Sequence, residues 1–380
     1  MIKPNYSSGS IVNLVSTILK YYGIKYNYEP IDIQDLQGHK QMVFIVIDGM
    51  GFSFLEKHAK GSFLYSNYKK SLTSVFPSTT SAALTSLMTG TAPQQHGLTG
   101  WYMYFKELAT AGLSLPFTAR FTNYSLSELQ VNINDIYDFQ TIFQKINNTM
   151  MLITPIETIN SAFSKFCYGD KPKKGYKDIN QCFNLLKEEL TKDTEMIYVY
   201  VPHFDEIAHM NGINSQDARN VFFTIDKVFN KIVDENKKSD ILYIVTADHG
   251  LIDTKPHEII NLNDYQEIKD CLILPLCGDP RVAYCYVRAN KLQKFRELVR
   301  KKLSPYCDMY SIEDMIDDNF FGLFDINPKL YSRIGDEILI MKDHYVLTDH
   351  VYREQHKQLI GFHGGLSPDE MIVPLITVRK

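Results

Sequence analysis

Three short apolar runs stand out along the chain: Met42–Ile47 (MVFIVI), Met196–Val201 (MIYVYV) and Ile241–Val245 (ILYIV). Each is rich in β-branched and aromatic residues and carries no charge. Runs of this kind predict strands buried on both faces. Between them the apolar spacing changes to a helical rhythm, as in Ile179–Leu190 and Ala218–Ile232. Alternating strands and helices predict an α/β fold with a mostly parallel central sheet flanked by helices. Ile11–Tyr22 is amphipathic and reads as a surface helix packed on the body, so residues 1–40 are assigned to the core. Residues 101–194 hold no comparably strong strand followed by an acid and read as helices and loops over the site. Val282–Arg288 and Glu337–Lys342 look like strands and Lys291–Leu303 like a helix. They predict a small α/β cap, 282–358, inserted into a core made of 1–281 and 359–380.

Polar punctuation follows each apolar run. Asp48-Gly49 follows the first, a segment containing Asp205-Glu206-Ile207-Ala208-His209 the second, and Thr246-Ala247-Asp248-His249-Gly250 the third. Ligands of open α/β sheets bind at the carboxyl ends of strands. One such Asp is best explained as a cap of a turn or helix. Three strands with the same punctuation favour a site. Asp205 and His209 share one helical face and suit one cation, although that spacing is also common on plain surface helices. Burying Asp248 or His249 unpaired is costly, and a metal relieves the cost.

Two further segments carry candidate chemistry. Phe76–Gly90 contains Pro77 and a hydroxyl cluster, then reads as a helix from Ala82 to Met88. The N-terminus of a helix offers free amides to a phosphoryl group; a Ser/Thr N-cap is the plainer reading. Gly361-Phe362-His363-Gly364-Gly365 places one imidazole among small residues that let the backbone approach closely.

Composition narrows the function classes. The 380 residues are 44% hydrophobic, enough for a sizeable core. Lys and Arg number 40 against 44 Asp and Glu, a net charge of -4. No nucleic-acid partner is expected on that balance, and an anionic substrate has to be attracted locally, for example by metal ions. Six scattered cysteines without a CxxC pair read as reduced thiols or core fillers. No window approaches ~18 uninterrupted apolar residues, so no membrane span is expected. The first residues lack a signal-peptide pattern. A cytoplasmic location is the expectation, with signal-independent export left open.

Taken in order, Val43–Asp48–Gly49, Phe76–Gly90, Tyr200–Gly212, Thr246–Gly250 and Gly361–Pro374 resemble the alkaline phosphatase superfamily, in its type I phosphodiesterase and nucleotide pyrophosphatase branch. The resemblance runs from about residue 42 to the end. It implies an alkaline phosphatase-like core and a nucleophile ten residues before the Gly of Thr89-Gly90, which is Thr80, or Thr79 if the register slips by one. One metal is implied at Asp205, His209 and His363, and another at Asp48, Thr80, Asp248 and His249. The implied cofactors are two divalent ions, zinc by resemblance, and mixed His and carboxylate ligands suit zinc better than magnesium or calcium. The implied substrate is a small phosphate ester, with nucleotides among the candidates. The implied reaction is hydrolysis of a phosphodiester or pyrophosphate bond through a phospho-Thr80 intermediate.

Where nucleotide pyrophosphatases carry an Asn after the His-Gly that follows the nucleophile helix, this chain has Trp101. Trp101 either stacks on a substrate ring or packs. Arg281 either grips a phosphoryl oxygen through its planar fork or is structural. His96, His203 and His257 read as supporting or structural histidines. A phosphomonoesterase or phosphonate hydrolase on the same scaffold, and a non-catalytic protein stabilised by metal, are the alternatives.

Overall fold

The three apolar runs form the middle of one sheet. In the computed structural model, which describes residues 1–34, 36–122, 124–236, 240–349, 351 and 358–380, they are β1 (Gln41–Ile47), β5 (Met196–Val201) and β6 (Ile241–Thr246). All residues of β1 and β6 are buried, as strands covered on both faces require. The other strands of this sheet are β2 (Tyr68–Thr73), β3 (Met150–Pro155), β4 (Lys173–Tyr176) and β7 (Ile372–Arg379). The order is β2-β7-β6-β1-β5-β3-β4. β1 pairs in parallel with both β5 and β6, and β3 in parallel with β5 and β4. Only β7 runs against its neighbours. Val46 pairs with Tyr200 on one side and Thr246 on the other. The three strand ends therefore lie level, and the acids that follow them emerge at one edge.

β3 corrects the reading of residues 101–194 as helices and loops. Met150–Pro155 is an apolar strand in the central sheet, missed because no acid punctuates its end. The same stretch holds Tyr102–Phe105, Thr110–Leu113 and Thr118–Ala119, three strands of a second, antiparallel sheet. Cys277–Asp279, Val282–Cys285, Cys307–Ser311 and Glu337–Met341 complete that sheet. The segment expected as a small inserted cap, 282–358, supplies three of the sheet's seven strands among the described residues. Its residues 350 and 352–357 lie outside the described residues.

Helix α1 (Ile11–Tyr21) is not a surface helix: Ile11 through Leu19 are all buried. Its polar residues are hydrogen-bonded inside. Asn13 Nδ2 donates to the carbonyls of Tyr6 and Glu29, and Thr17 Oγ1 accepts from Ile31 N. Side chains that look solvent-facing in the sequence instead tie the helix to residues 28–33. α1 also packs against α2 (Thr80–Thr89), whose C-cap Gly90 has φ +70°; a Cβ there would sit 2.8 Å from Leu19 Cδ1. All six cysteines are buried and free. Among the described residues no helix is long and apolar enough to cross a membrane.

A buried ion pair joins the second sheet to the C-terminal segment. Arg281 Nε and Nη2 donate to Glu370 Oε1 and Oε2 at 3.0 and 2.9 Å, with side chains 1% and 0% exposed. Nη1 donates to the carbonyls of Tyr345 and Lys342. This bidentate geometry consumes the fork, so Arg281 is structural and is not available to a phosphoryl oxygen. Burial raises the pKa of Glu370, but Arg281 and hydrogen bonds from Ser367 and Gly365 outweigh it and hold the carboxyl below its ordinary value. Its contribution to stability is therefore complete above a pH of about 4.3, the unfolded value, and is lost as pH falls through the lower folded value. Glu370→Ala leaves a buried guanidinium unpaired and is expected to cost about 3–5 kcal/mol in denaturant unfolding at pH 7. Replacing both partners, as Arg281→Met with Glu370→Leu, should cost less. A loss under about 1 kcal/mol for the single variant would show that water or another group compensates the charge.

Candidate active site

The level strand ends set the geometry. Asp48 leaves β1 with its N–H on Val201 O at 3.0 Å. Gly49 turns back at φ +72° and donates its N–H to Asp248 Oδ1 at 3.1 Å. A Cβ at Gly49 would stand 2.9 Å from Asp205 Oδ1, so only glycine fits this crossing. Asp205 and His209 lie on α3 (His203–Asn211), which begins just after β5. His209 Nε2 is 3.2 Å from Asp205 Oδ2. His363 arrives from Gly361–Phe362, paired with Ile252–Asp253.

Thr80 is the first residue of α2, and its Oγ1 lies 3.1 Å from His249 Nε2. That same nitrogen is 3.5 Å from Asp48 Oδ1 and 3.4 Å from Asp248 Oδ2. The rings of His249 and His363 stack at 3.8 Å, and His363 and His209 are 5.0 Å apart. The structure therefore brings together Asp48, Thr80, Asp205, His209, Asp248, His249 and His363. Two groups place candidate ligand atoms within 4.8 Å of one another: Asp48, Asp248 and His249, and Asp205, His249 and His363. The second grouping has His249 where the resemblance implied His209.

The residues suit cations on two independent grounds. First, Asp48 Oδ1, Asp205 Oδ1 and Asp248 Oδ2 are buried carboxylate oxygens with no hydrogen-bond partner among the described residues. An orphaned buried carboxylate is costly unless a positive charge meets it. Second, each imidazole has its Nδ1 beside a backbone carbonyl: His209 on Gly361 O at 2.7 Å, His363 on Ser78 O at 3.2 Å and His249 on Gly250 O at 3.2 Å. A carbonyl only accepts, so Nδ1 carries a proton, which leaves Nε2 as the nitrogen able to meet a cation. Metal-ligating histidines are oriented in this way.

Without a cation the charges conflict. Burial, then the charges of Asp248 and Asp205, push the Asp48 carboxyl well up. Burial also raises Asp248, and Asp205 adds to the rise against the pull of His249. For Asp205 burial is overcome by His209, His363 and His249, which hold it below the carboxylate range. Burial would lower His209, but Asp205 beside it more than offsets this and lifts it to about 9. Burial and the neighbouring imidazoles push His363 down.

Two supporting residues were not legible. Tyr200, next to last in β5, donates its hydroxyl to Asp48 Oδ2; an aromatic in an apolar run carries no mark of that role. Asp279, 7% exposed, comes from the second sheet and accepts from Thr79 Oγ1 at 3.0 Å and Trp101 N at 3.2 Å. Burial outweighs these two bonds and lifts its carboxyl to about 7. In the sequence Gly278-Asp279-Pro280 reads only as a turn.

The remaining predicted residues fall into place around the cluster. Trp101 is half-buried, its backbone tied to Asp279 and, through its carbonyl, to Ser114 N. His96 is buried behind α2, with Nε2 2.9 Å from Ser86 Oγ and Nδ1 accepting from Leu98 N. Burial, aided by Arg333, lowers it to about 3, so it is a neutral structural group. His203 stacks on Tyr176, and His257 is exposed. A separate cavity of about 300 Å³, lined by Lys57, His58, Asn214, Asp253, His344 and Asp369 among others, contains none of the predicted site residues.

Known structures share this fold. Murine ectonucleotide pyrophosphatase/phosphodiesterase 5, also solved as an inactive variant in complex with AMP, is 16% identical with a TM-score of 0.66, over 88% of this chain and 87% of that one. Its human counterpart is 18% identical with a TM-score of 0.67, over 89% and 87%. Phosphonoacetate hydrolase from Sinorhizobium meliloti 1021, in complex with phosphonoacetate, is 17% identical with a TM-score of 0.66, over 89% and 90%. No curated protein sequence matches the chain. The profile of one family, type I phosphodiesterase / nucleotide pyrophosphatase, matches residues 42–116 and 117–366. Most of the chain is thereby covered; the family indicates a phosphoryl hydrolase, and the protein belongs to the type I phosphodiesterase/nucleotide pyrophosphatase family of the alkaline phosphatase superfamily.

Proposed function

We propose that this chain hydrolyses phosphodiester or pyrophosphate bonds of a small phosphate ester through a covalent phospho-Thr80 intermediate, using two divalent ions. The observation that carries the reading is the position of Thr80 Oγ1. It opens a helix, lies 3.1 Å from His249 Nε2, and faces buried carboxylates with orphaned oxygens. Asp48, Asp248 and His249 would hold one ion, with Thr80, and Asp205, His209 and His363 the other. Zinc fits this mixture of imidazole and carboxylate. When bound, such ions neutralise the acids, lower the pKa of a coordinated oxygen and stabilise a departing one.

The chain's own groups do the rest. The amides at the start of α2, which meet no acceptor among the described residues, hold phosphoryl oxygens and align phosphorus with Thr80 Oγ1. The Thr80 oxygen, its proton lost, attacks phosphorus, the P–O bond to the leaving group breaks on the opposite side, and the leaving oxygen takes up a proton. Water then attacks the phospho-threonine and Thr80 Oγ1 departs with a proton. Each displacement is in line, so configuration at phosphorus is retained overall. The AMP complex of the murine neighbour makes a nucleotide ester a reasonable substrate class to try first. Arg281 is committed to Glu370, which removes the cationic side chain expected to greet a monoester dianion and weighs toward a diester.

Thr80→Ala is expected to keep its metals and fold while turnover falls at least about 10³-fold, near 4 kcal/mol of barrier. Metal content by mass spectrometry, melting temperature and steady-state rates check this together. A variant that still turns over normally would remove Thr80 from the reaction; a metal-loaded wild type inert on all esters would favour a binding role. Bis-p-nitrophenyl phosphate should exceed p-nitrophenyl phosphate in kcat/KM, and the reverse order would point to a monoesterase. Chelation should lower the melting temperature as well as abolish turnover, because ions held at a thousand times their Kd stabilise the fold by about 4 kcal/mol. An unchanged melting curve would count against cations at these acids.

A further inference from the structure

Thr79 stands at the N-cap of α2 with φ -125° and ψ 149°, the extended conformation from which a Thr hydroxyl normally folds back onto the first-turn amides. Its hydroxyl does not do so. Other helices of the same chain supply the comparison; Thr141, whose hydroxyl is likewise drawn away, to Cys167 O, also makes no side-chain cap bond. Ser10, Ser62, Ser161, Ser215 and Ser311, in the same extended conformation, each accept from the amide three residues on. Thr79 Oγ1 instead donates to Asp279 Oδ1 at 3.0 Å. Among the described residues, the amides of Thr80, Ser81 and Ala82 consequently meet no acceptor. The hydroxyl of Ser81 in the same turn is fully buried and unpartnered.

Asp279 is fixed on its other side. Its Oδ2 accepts from Trp101 N, and a Cβ at Gly100 would come within 2.7 Å of Gly278 Cα, so the two backbones touch. The carboxylate is thus delivered rigidly from the second sheet to the hydroxyl at the N-cap of the helix.

We propose that Asp279 is a positioning residue: it draws the Thr79 hydroxyl off the N-terminus of α2 and so leaves three amides open to the phosphoryl oxygens of the substrate. The inference rests on the catalytic reading above. It explains why a Thr, a competent cap, is tolerated beside the nucleophile. Without the carboxylate the hydroxyl rotates onto the Ser81 or Ala82 amide and competes with substrate there.

The test is a suppressor experiment on the full-length, metal-loaded protein. Asp279→Ala should lower kcat/KM for a diester at least tenfold, and adding Thr79→Val, which has no hydroxyl to swing back, should restore at least tenfold of what is lost. In parallel, amide hydrogen exchange without substrate should be slower at Ser81 or Ala82 in Asp279→Ala than in either the wild type or the double variant. A merely structural loss would leave the double variant as impaired as the single one, with unchanged exchange at those amides, and would overturn the proposal. If the alanine variant does not fold, Asp279→Asn, which offers one acceptor to the two donors, goes through the same pair of measurements. A wild type without turnover would sink the catalytic reading, whereas the exchange comparison would still decide whether Asp279 withholds the cap.

Discussion

Asp48, Asp205 and Asp248 are buried side by side, and their mutual repulsion is the constraint around which the site is arranged. Two like charges about 4 Å apart repel by about 4 kcal/mol at an effective dielectric of 20, and burial removes the water that would soften this. Protonation or a cation has to compensate. The upward shifts of Asp48 and Asp248 show the first route, taken when no cation is at hand. The histidines argue for the second. Each is held by a backbone carbonyl so that its free nitrogen faces the acids. A neutral imidazole nitrogen aimed at a carboxylate is repelled unless a positive charge lies between them; His209 takes up a proton beside Asp205 when no cation is present.

The sheet makes this crowding possible at distances that sequence separation would forbid. β6, β1 and β5 are parallel neighbours with level ends, so Asp48, Asp205 and Asp248 leave the sheet at one edge. The remaining parts are brought by packing. α1 braces the far end of α2, the Arg281–Glu370 pair joins the second sheet to the segment that carries His363, and Asp279 reaches from that sheet to Thr79, the neighbour of Thr80. The second sheet is therefore part of the site's frame as well as its cover.

The legible part of the fold was the part whose signal is local. An unbroken apolar run ending in an acid marked β1, β5 and β6, and the hydroxyl cluster before an apolar helix marked the start of α2, while the choice of Thr80 within it came from the family resemblance. β3 carries the same apolar signal without the acid and was passed over. The short strands at Tyr102–Phe105 and Thr110–Leu113 alternate weakly; they pair with each other, and among the described residues only Tyr102 joins them to Gly278, far along the chain. The polar residues of α1 read as a wet face because their buried partners, Glu29 and Ile31, are invisible to a periodicity argument. The choice between the two readings of Arg281, and the role of Asp279, were not legible for the same reason. Their meaning lies in Glu370 and Thr79, 89 and 200 residues away, and no local pattern encodes such a contact.

The central claim is that the orphaned oxygens at this sheet edge are the ligands of two cations. Anomalous diffraction at the zinc absorption edge, on crystals of the zinc-loaded protein, tests it most directly. The account predicts two peaks roughly 4 Å apart, one touching Asp48, Asp248 and His249 and the other touching Asp205 and His363. Difference maps with no peak among these side chains, or with zinc only at surface residues, would contradict it.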